Sequence, residues 1–123
     1  MKRRLKVGFV GKRGEGALQC FRVMPDAEVV AFCTRHEETV RPIVEKYDIP
    51  QAYTCFEDLL ASDVDLIFVG TPLPEHVKQS TAALEAGKHL LCEIPAAATL
   101  EECWQLLEAV KKSDCKYMLA ENY

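Results

Sequence analysis

Short apolar runs alternate with stretches of helical periodicity along this chain, and few folds accommodate that order. The runs are Leu5–Val10, Glu28–Cys33, Gln51–Thr54, Asp65–Val69, Lys88–Cys92 and Cys115–Ala120. All but the weaker Gln51–Thr54 are rich in apolar residues, many of them the β-branched and aromatic types that suit a buried, pleated surface. Strands separated by helices read as βαβ units, and such units need a mostly parallel sheet covered on both faces.

The helical stretches carry their own punctuation. Thr99 and Glu102 form a capping box ahead of a stripe made of Leu100, Cys103, Trp104, Leu107 and Val110, which is expected to face inward. A second helix covers about Glu75 to Glu85, with Val77, Thr81 and Leu84 inward and Gly87 stopping it just past its end. The first opens near Gly14 and carries Ala17, Leu18, Phe21 and Met24 before Pro25 and Asp26 turn the chain. Another runs from about Glu37 to Tyr47, where Pro42 deletes a backbone donor and is expected to shorten or kink it. Phe56 to Ala61 adds one or two turns. The fold class expected is α/β: a doubly wound, mostly parallel six-stranded sheet in three layers, a Rossmann fold with strand order 3-2-1-4-5-6.

A length of 123 residues fits a single domain, which at this size buries roughly 65–68 % of its unfolded surface. The net charge of −4 argues against a nucleic-acid surface, and no run approaches the ~18 apolar residues of a membrane helix. The Lys2, Arg3, Arg4 and Lys6 cluster reads as a solvated strand entry, since Lys6 and Gly8 interrupt any apolar stretch behind it. A cytoplasmic protein is expected. The six cysteines form no C-x-x-C pair and most sit in apolar runs, so they read as reduced, small core hydrophobes. The three histidines are scattered, and no metal is expected.

In a doubly wound sheet, ligands bind beyond the carboxyl ends of the strands where strand order reverses. That directs attention to the loop after the first strand, residues 11–16, and the loop after the fourth, residues 70–76. The first reads Gly11-Lys12-Arg13-Gly14-Glu15-Gly16, a partial G-x-G-x-x-G fingerprint. Gly11 supplies the tight turn, Gly16 is expected to let the helix pack on the strand, and Arg13 stands where a glycine usually admits a pyrophosphate. A helix start and the Lys12 and Arg13 cations still favour phosphate. A ligand-free βα turn is the alternative. At the end of the second strand, Thr34-Arg35-His36 replaces the acid that usually reads the ribose 2′-hydroxyl. A hydroxyl and a guanidinium suit a 2′-phosphate, so NADP(H) is the preferred dinucleotide, with NAD(H) the second choice.

These segments, with Thr71-Pro72, His76 and the run Ala86-Gly87-Lys88-His89-Leu90-Leu91-Cys92-Glu93-Ile94-Pro95, resemble the N-terminal nucleotide-binding domain of the Gfo/Idh/MocA oxidoreductases. The resemblance spans residues 1–123. It implies an NAD(P)-binding domain for oxidation or reduction of a sugar, cyclitol or similar polyol. It also implies that Gly11, Gly14 and Gly16 lie under the pyrophosphate, where the Lys12 and Arg13 cations would add their charge, and that Thr34 and Arg35 face the adenosine ribose. Thr71, Pro72 and His76 would line the middle, and Glu93 and Pro95 the nicotinamide end. Asn122 and Tyr123 match the stretch leading to the family's substrate domain, which a chain ending at Tyr123 is expected to lack. Leu73 stands where the family often has an asparagine. Ile94 stands where its E-K-P motif carries a lysine thought to assist proton transfer, so no catalytic residue is assigned. The expectation is little turnover by the chain alone. The other reading is a non-catalytic nucleotide-binding or protein-interaction module, a homo-oligomer or one with a partner supplying the second domain.

Overall fold

The computed structural model describes residues 3–121. Six strands, β1 (Leu5–Val10), β2 (Ala27–Cys33), β3 (Gln51–Tyr53), β4 (Leu66–Val69), β5 (His89–Glu93) and β6 (Tyr117–Ala120), form one sheet in the order β3-β2-β1-β4-β5-β6. Every neighbouring pair is parallel. The helices are α1 (Glu15–Arg22), α2 (Glu37–Lys46), α3 (Phe56–Ala61), α4 (His76–Glu85) and α5 (Leu100–Lys112). The expected Rossmann architecture is the observed one.

Alternation along each strand sorts the core into two layers. On one face Val7 and Phe9 of β1, Phe32 of β2 and Phe68 of β4 meet Leu18 and Phe21 of α1 and Val40, Ile43 and Val44 of α2. Phe9 is the hub: it stacks on Phe32 and Phe68 at 5.5 and 5.0 Å between ring centroids, with Phe21 edge-on at 5.7 Å. On the other face Val10, Ala31, Ile67, Val69 and Leu90 pack with Leu59 of α3 and Ala83 and Leu84 of α4. Gly8 serves this layer: a Cβ there would stand 2.8 Å from Leu59 Cδ1, so the Leu59 side chain lies directly on the strand backbone.

Two details of the helices come from the structure. Pro42 does not shorten α2, which runs on past it from Glu37 to Lys46. The acceptor Pro42 leaves unserved is the carbonyl of Glu38, an exposed residue in the first turn that solvent can reach. The apolar stripe of α5 is largely outside: Leu100 is 74 % exposed, Trp104 60 % and Leu107 40 %, and Cys103 is exposed too. The helix seats instead on Leu106, with Ala109 and Val110 partly buried against the core. Thr99 caps it as expected, its Oγ1 accepting from the Glu102 amide at 3.1 Å while Glu102 Oε1 accepts from the Ala98 amide. The edge strand β6 is likewise open, with Met118 67 % exposed.

The cysteines divide. Cys33 and Cys92 are core residues, but Cys20, Cys55 and Cys103 are exposed and Cys115 is half-buried. Periodicity places a thiol on an element; only packing decides which side of that element meets another layer.

Candidate functional site

The loops after β1 and β4 meet backbone to backbone. Gly11 adopts φ 95°, and a Cβ on it would lie 2.4 Å from the Gly70 carbonyl group. A Cβ on Gly70 would lie 2.4 Å from the Gly14 nitrogen. The Arg13 N–H donates to the Gly70 carbonyl at 3.2 Å, and the Gly14 N–H to that of Gly11 at 3.1 Å. Two early amides of the turn Lys12–Gly14 are therefore spent within the protein. The helix–strand packing role expected for Gly16 belongs to Gly14, whose Cβ would sit 2.8 Å from Phe9 Cδ2, whereas Gly16 faces open space.

Beside this junction, at the carboxyl ends of β1, β2 and β4, lies a cavity of about 540 Å³, within the range of small-ligand sites. Gly11, Lys12, Thr34, Arg35, Thr71 and Pro72 line it. Arg13, Gly14, Gly16, His76, Glu93 and Pro95 are not among its lining residues. Lining residues that motif reading missed include Phe56, Glu75 and Gln79. Phe56 comes from α3, the crossover helix, and Gln79 from the first turn of α4. Their only sequence signal was position, each lying at the start of the helix that follows a strand.

Thr34 is buried, and its hydroxyl donates to the His36 carbonyl at 3.0 Å, which fixes the turn after β2. Arg35 is exposed and reaches across the cavity mouth to Glu75, Nη2 to Oε1 3.7 Å. Thr71 Oγ1 donates to Gln79 Oε1 at 2.6 Å. Cys33, in the floor of the cavity, is pushed up to about 12 by burial, so its thiol stays protonated.

A second locus joins the loop after β4 to the segment after β5. His76, 2 % exposed, places Nε2 2.7 Å from the Thr71 carbonyl oxygen and Nδ1 2.8 Å from that of Pro95. The Ile94–Pro95 peptide is cis. Glu93 ends β5 half-buried, and Ile94 is exposed at 43 %. The structure thus brings His76 and Pro95 into contact, leaves Glu93 at the end of β5 two residues before Pro95, and sets the other predicted residues around the cavity and its loop. Asn122 and Tyr123 lie outside the described residues. Among the described residues no helix is long and apolar enough to cross a membrane, and no cluster of three His, Cys, Asp or Glu side chains suits a metal.

The family model GFO_IDH_MocA, described as an oxidoreductase family with an NAD-binding Rossmann fold, matches residues 5–121. The chain belongs to the Gfo/Idh/MocA oxidoreductase family. Among curated relatives, the α-N-acetylgalactosaminidase of Shewanella oneidensis is 32 % identical over 96 % of this chain and 28 % of its own length. Glycosyl hydrolase family 109 protein 1 of Bacteroides fragilis is 34 % identical with the same coverage. An oxidoreductase domain protein from Kribbella flavida superposes with a TM-score of 0.90 at 31 % identity, over 96 % of this chain and 35 % of that one. The chain therefore spans roughly a third of such proteins, the third that forms the NAD-binding domain of the Gfo/Idh/MocA fold.

Proposed function

We propose that this chain is the dinucleotide-binding part of an enzyme acting on a sugar or related polyol. The observation that carries the reading is the cavity at the carboxyl ends of β1, β2 and β4, where the strand order reverses. Its residues fit an adenosine moiety: Phe56 and Pro72 offer apolar walls, Thr34 and Arg35 stand at the end of β2, and Lys12 supplies a cation toward the phosphates. The pyrophosphate would depend on Lys12 more than on loop amides, because the Arg13 and Gly14 amides already have partners. No carboxylate ends β2, which supports NADP(H) over NAD(H).

When bound, the nicotinamide supplies a hydride acceptor or donor. Moving the substrate's hydroxyl proton is then a task for side chains. Ile94 has no titratable group, and both nitrogens of His76 face carbonyl oxygens of the protein. Glu93 is the remaining titratable group of the Glu93-Ile94-Pro95 segment. This supports a domain that positions cofactor and leaves substrate specificity and base to other polypeptide. The names of the glycosidase relatives point to a glycoside as substrate.

Fluorescence titration of the chain with NADPH and with NADH tests the reading. Saturable binding, tighter for NADPH, is expected, with no turnover of added sugars. Absence of binding by either overturns it, and robust cofactor reduction by the chain alone overturns the assignment of catalysis elsewhere.

One observation favours a second reading, an interaction module. Leu100, Trp104 and Leu107 of α5 are an exposed apolar stripe, and the edge strand β6 exposes Met118 and Leu119, surfaces of the kind proteins usually cover. Light scattering separates the two: a strictly monomeric chain that binds NADPH counts against the module.

A further inference from the structure

The Arg35–Glu75 pair joins two loops that are forty residues apart in sequence and face each other only because β2 and β4 flank β1. Arg35 follows β2, and Glu75 closes the short 3-10 turn Leu73–Glu75 before α4. Both line the same cavity. An ion pair with one partner 81 % exposed adds little to stability. Its consequence lies in the charge it sets at the mouth. In a Rossmann domain the residues ending the second strand face the adenosine ribose, and a carboxylate there accepts from a 2′-hydroxyl but repels a 2′-phosphate. Thr34 supplies no carboxylate, and its hydroxyl is committed to the His36 carbonyl.

We infer that Glu75 tunes the site's choice between dinucleotides, supplying from the opposite wall the carboxylate that the end of β2 lacks. Resting on the dinucleotide reading above, the assignment works through two effects of one group. Glu75 holds the Arg35 guanidinium, which a 2′-phosphate must win away, and its own charge opposes that phosphate at the same place. A neutral 2′-hydroxyl leaves the ion pair standing. Arg35 favours the phosphorylated nucleotide and Glu75 restrains that preference, so NAD(H) remains a competent ligand.

The probes are ADP and 2′,5′-ADP, which report the adenosine end alone, each titrated calorimetrically into the 123-residue chain. In Glu75→Gln, a neutral replacement of similar size, affinity for 2′,5′-ADP relative to ADP is expected to rise about three- to tenfold, and less at high salt. In Arg35→Ala the ratio is expected to fall by about tenfold or more. In the double variant the Glu75→Gln gain shrinks, because the guanidinium it releases is gone. An unchanged ratio in Glu75→Gln, with its melting temperature and Arg35→Ala behaviour as expected, overturns the role of Glu75 and leaves the dinucleotide reading intact. No binding of ADP, 2′,5′-ADP, NADH or NADPH to any variant overturns both.

Discussion

His76 Nδ1 lies 2.8 Å from the carbonyl oxygen of Pro95, and the opposite ring nitrogen lies 2.7 Å from that of Thr71. One buried imidazole therefore ties the loop after β4 to the segment after β5, joining the two strand ends that a dinucleotide would run between. His76→Ala leaves two carbonyls and a cavity behind. It is expected to destabilise the fold by about 2–4 kcal/mol in urea unfolding and to weaken nucleotide binding. A variant as stable as the parent, with unchanged affinity, would remove this bridge from the account.

The glycine junction makes a sharper contrast. Gly70→Ala drives a Cβ into the Gly14 backbone, where no flexible side chain can yield. A loss of about 2–4 kcal/mol is expected. Gly16→Ala places a methyl group in open space within α1 and is expected to stabilise by about 0.5–1 kcal/mol. Thermal melts of the two variants should move in opposite directions. Equal effects would mean that the loops are not in backbone contact.

Acid sensitivity follows from Asp65. Its carboxylate accepts from Arg3 Nη1 and Nη2 at 3.0 and 2.8 Å and from the Lys6 amide at 2.9 Å, locking the start of β4 beside that of β1. The Arg3 guanidinium, helped by the Lys6 amide, holds it below the usual carboxylate range. On acidification the unfolded chain protonates this group first, near pH 4, while the folded chain keeps it ionised. Its contribution is thus complete above about pH 5 and lost as pH falls through the folded value. Asp65→Asn should flatten the stability profile between about pH 5 and pH 2. A profile as steep as the parent's would show that other carboxylates govern acid unfolding.

Thiol reactivity should separate the cysteines. Cys20, Cys55 and Cys103 are exposed and are expected to react quickly with a disulfide reagent at neutral pH. Cys33 and Cys92 are buried, and burial pushes both thiols up. They should react only in denaturant, with half-buried Cys115 intermediate. Mass mapping of the labelled peptides checks the order, and rapid native labelling of Cys33 would contradict a closed cavity floor.

Much of this protein is local and therefore readable from the chain. The strand runs, the Thr99–Glu102 capping box, the stop at Gly87 and the strand order depend on side-chain period, short-range hydrogen bonds and the handedness of βαβ connections. Each of these acts within one element or between successive ones. The fingerprint glycines were legible as a loop for the same reason.

Which glycine does what was not legible. Gly14 and Gly70 touch because β1 and β4 are neighbours in the sheet, not because of their spacing. The exposure of Trp104 is likewise a matter of what lies beyond the helix, since an apolar stripe has the same period whether or not another layer covers it. Glu75 carried no motif at all, yet it meets Arg35. By itself the sequence determined the elements, their order and the end of the sheet where a site would form. Only the tertiary structure decided which side chains share that site, because parallel strands distant in sequence bring their following loops to one edge.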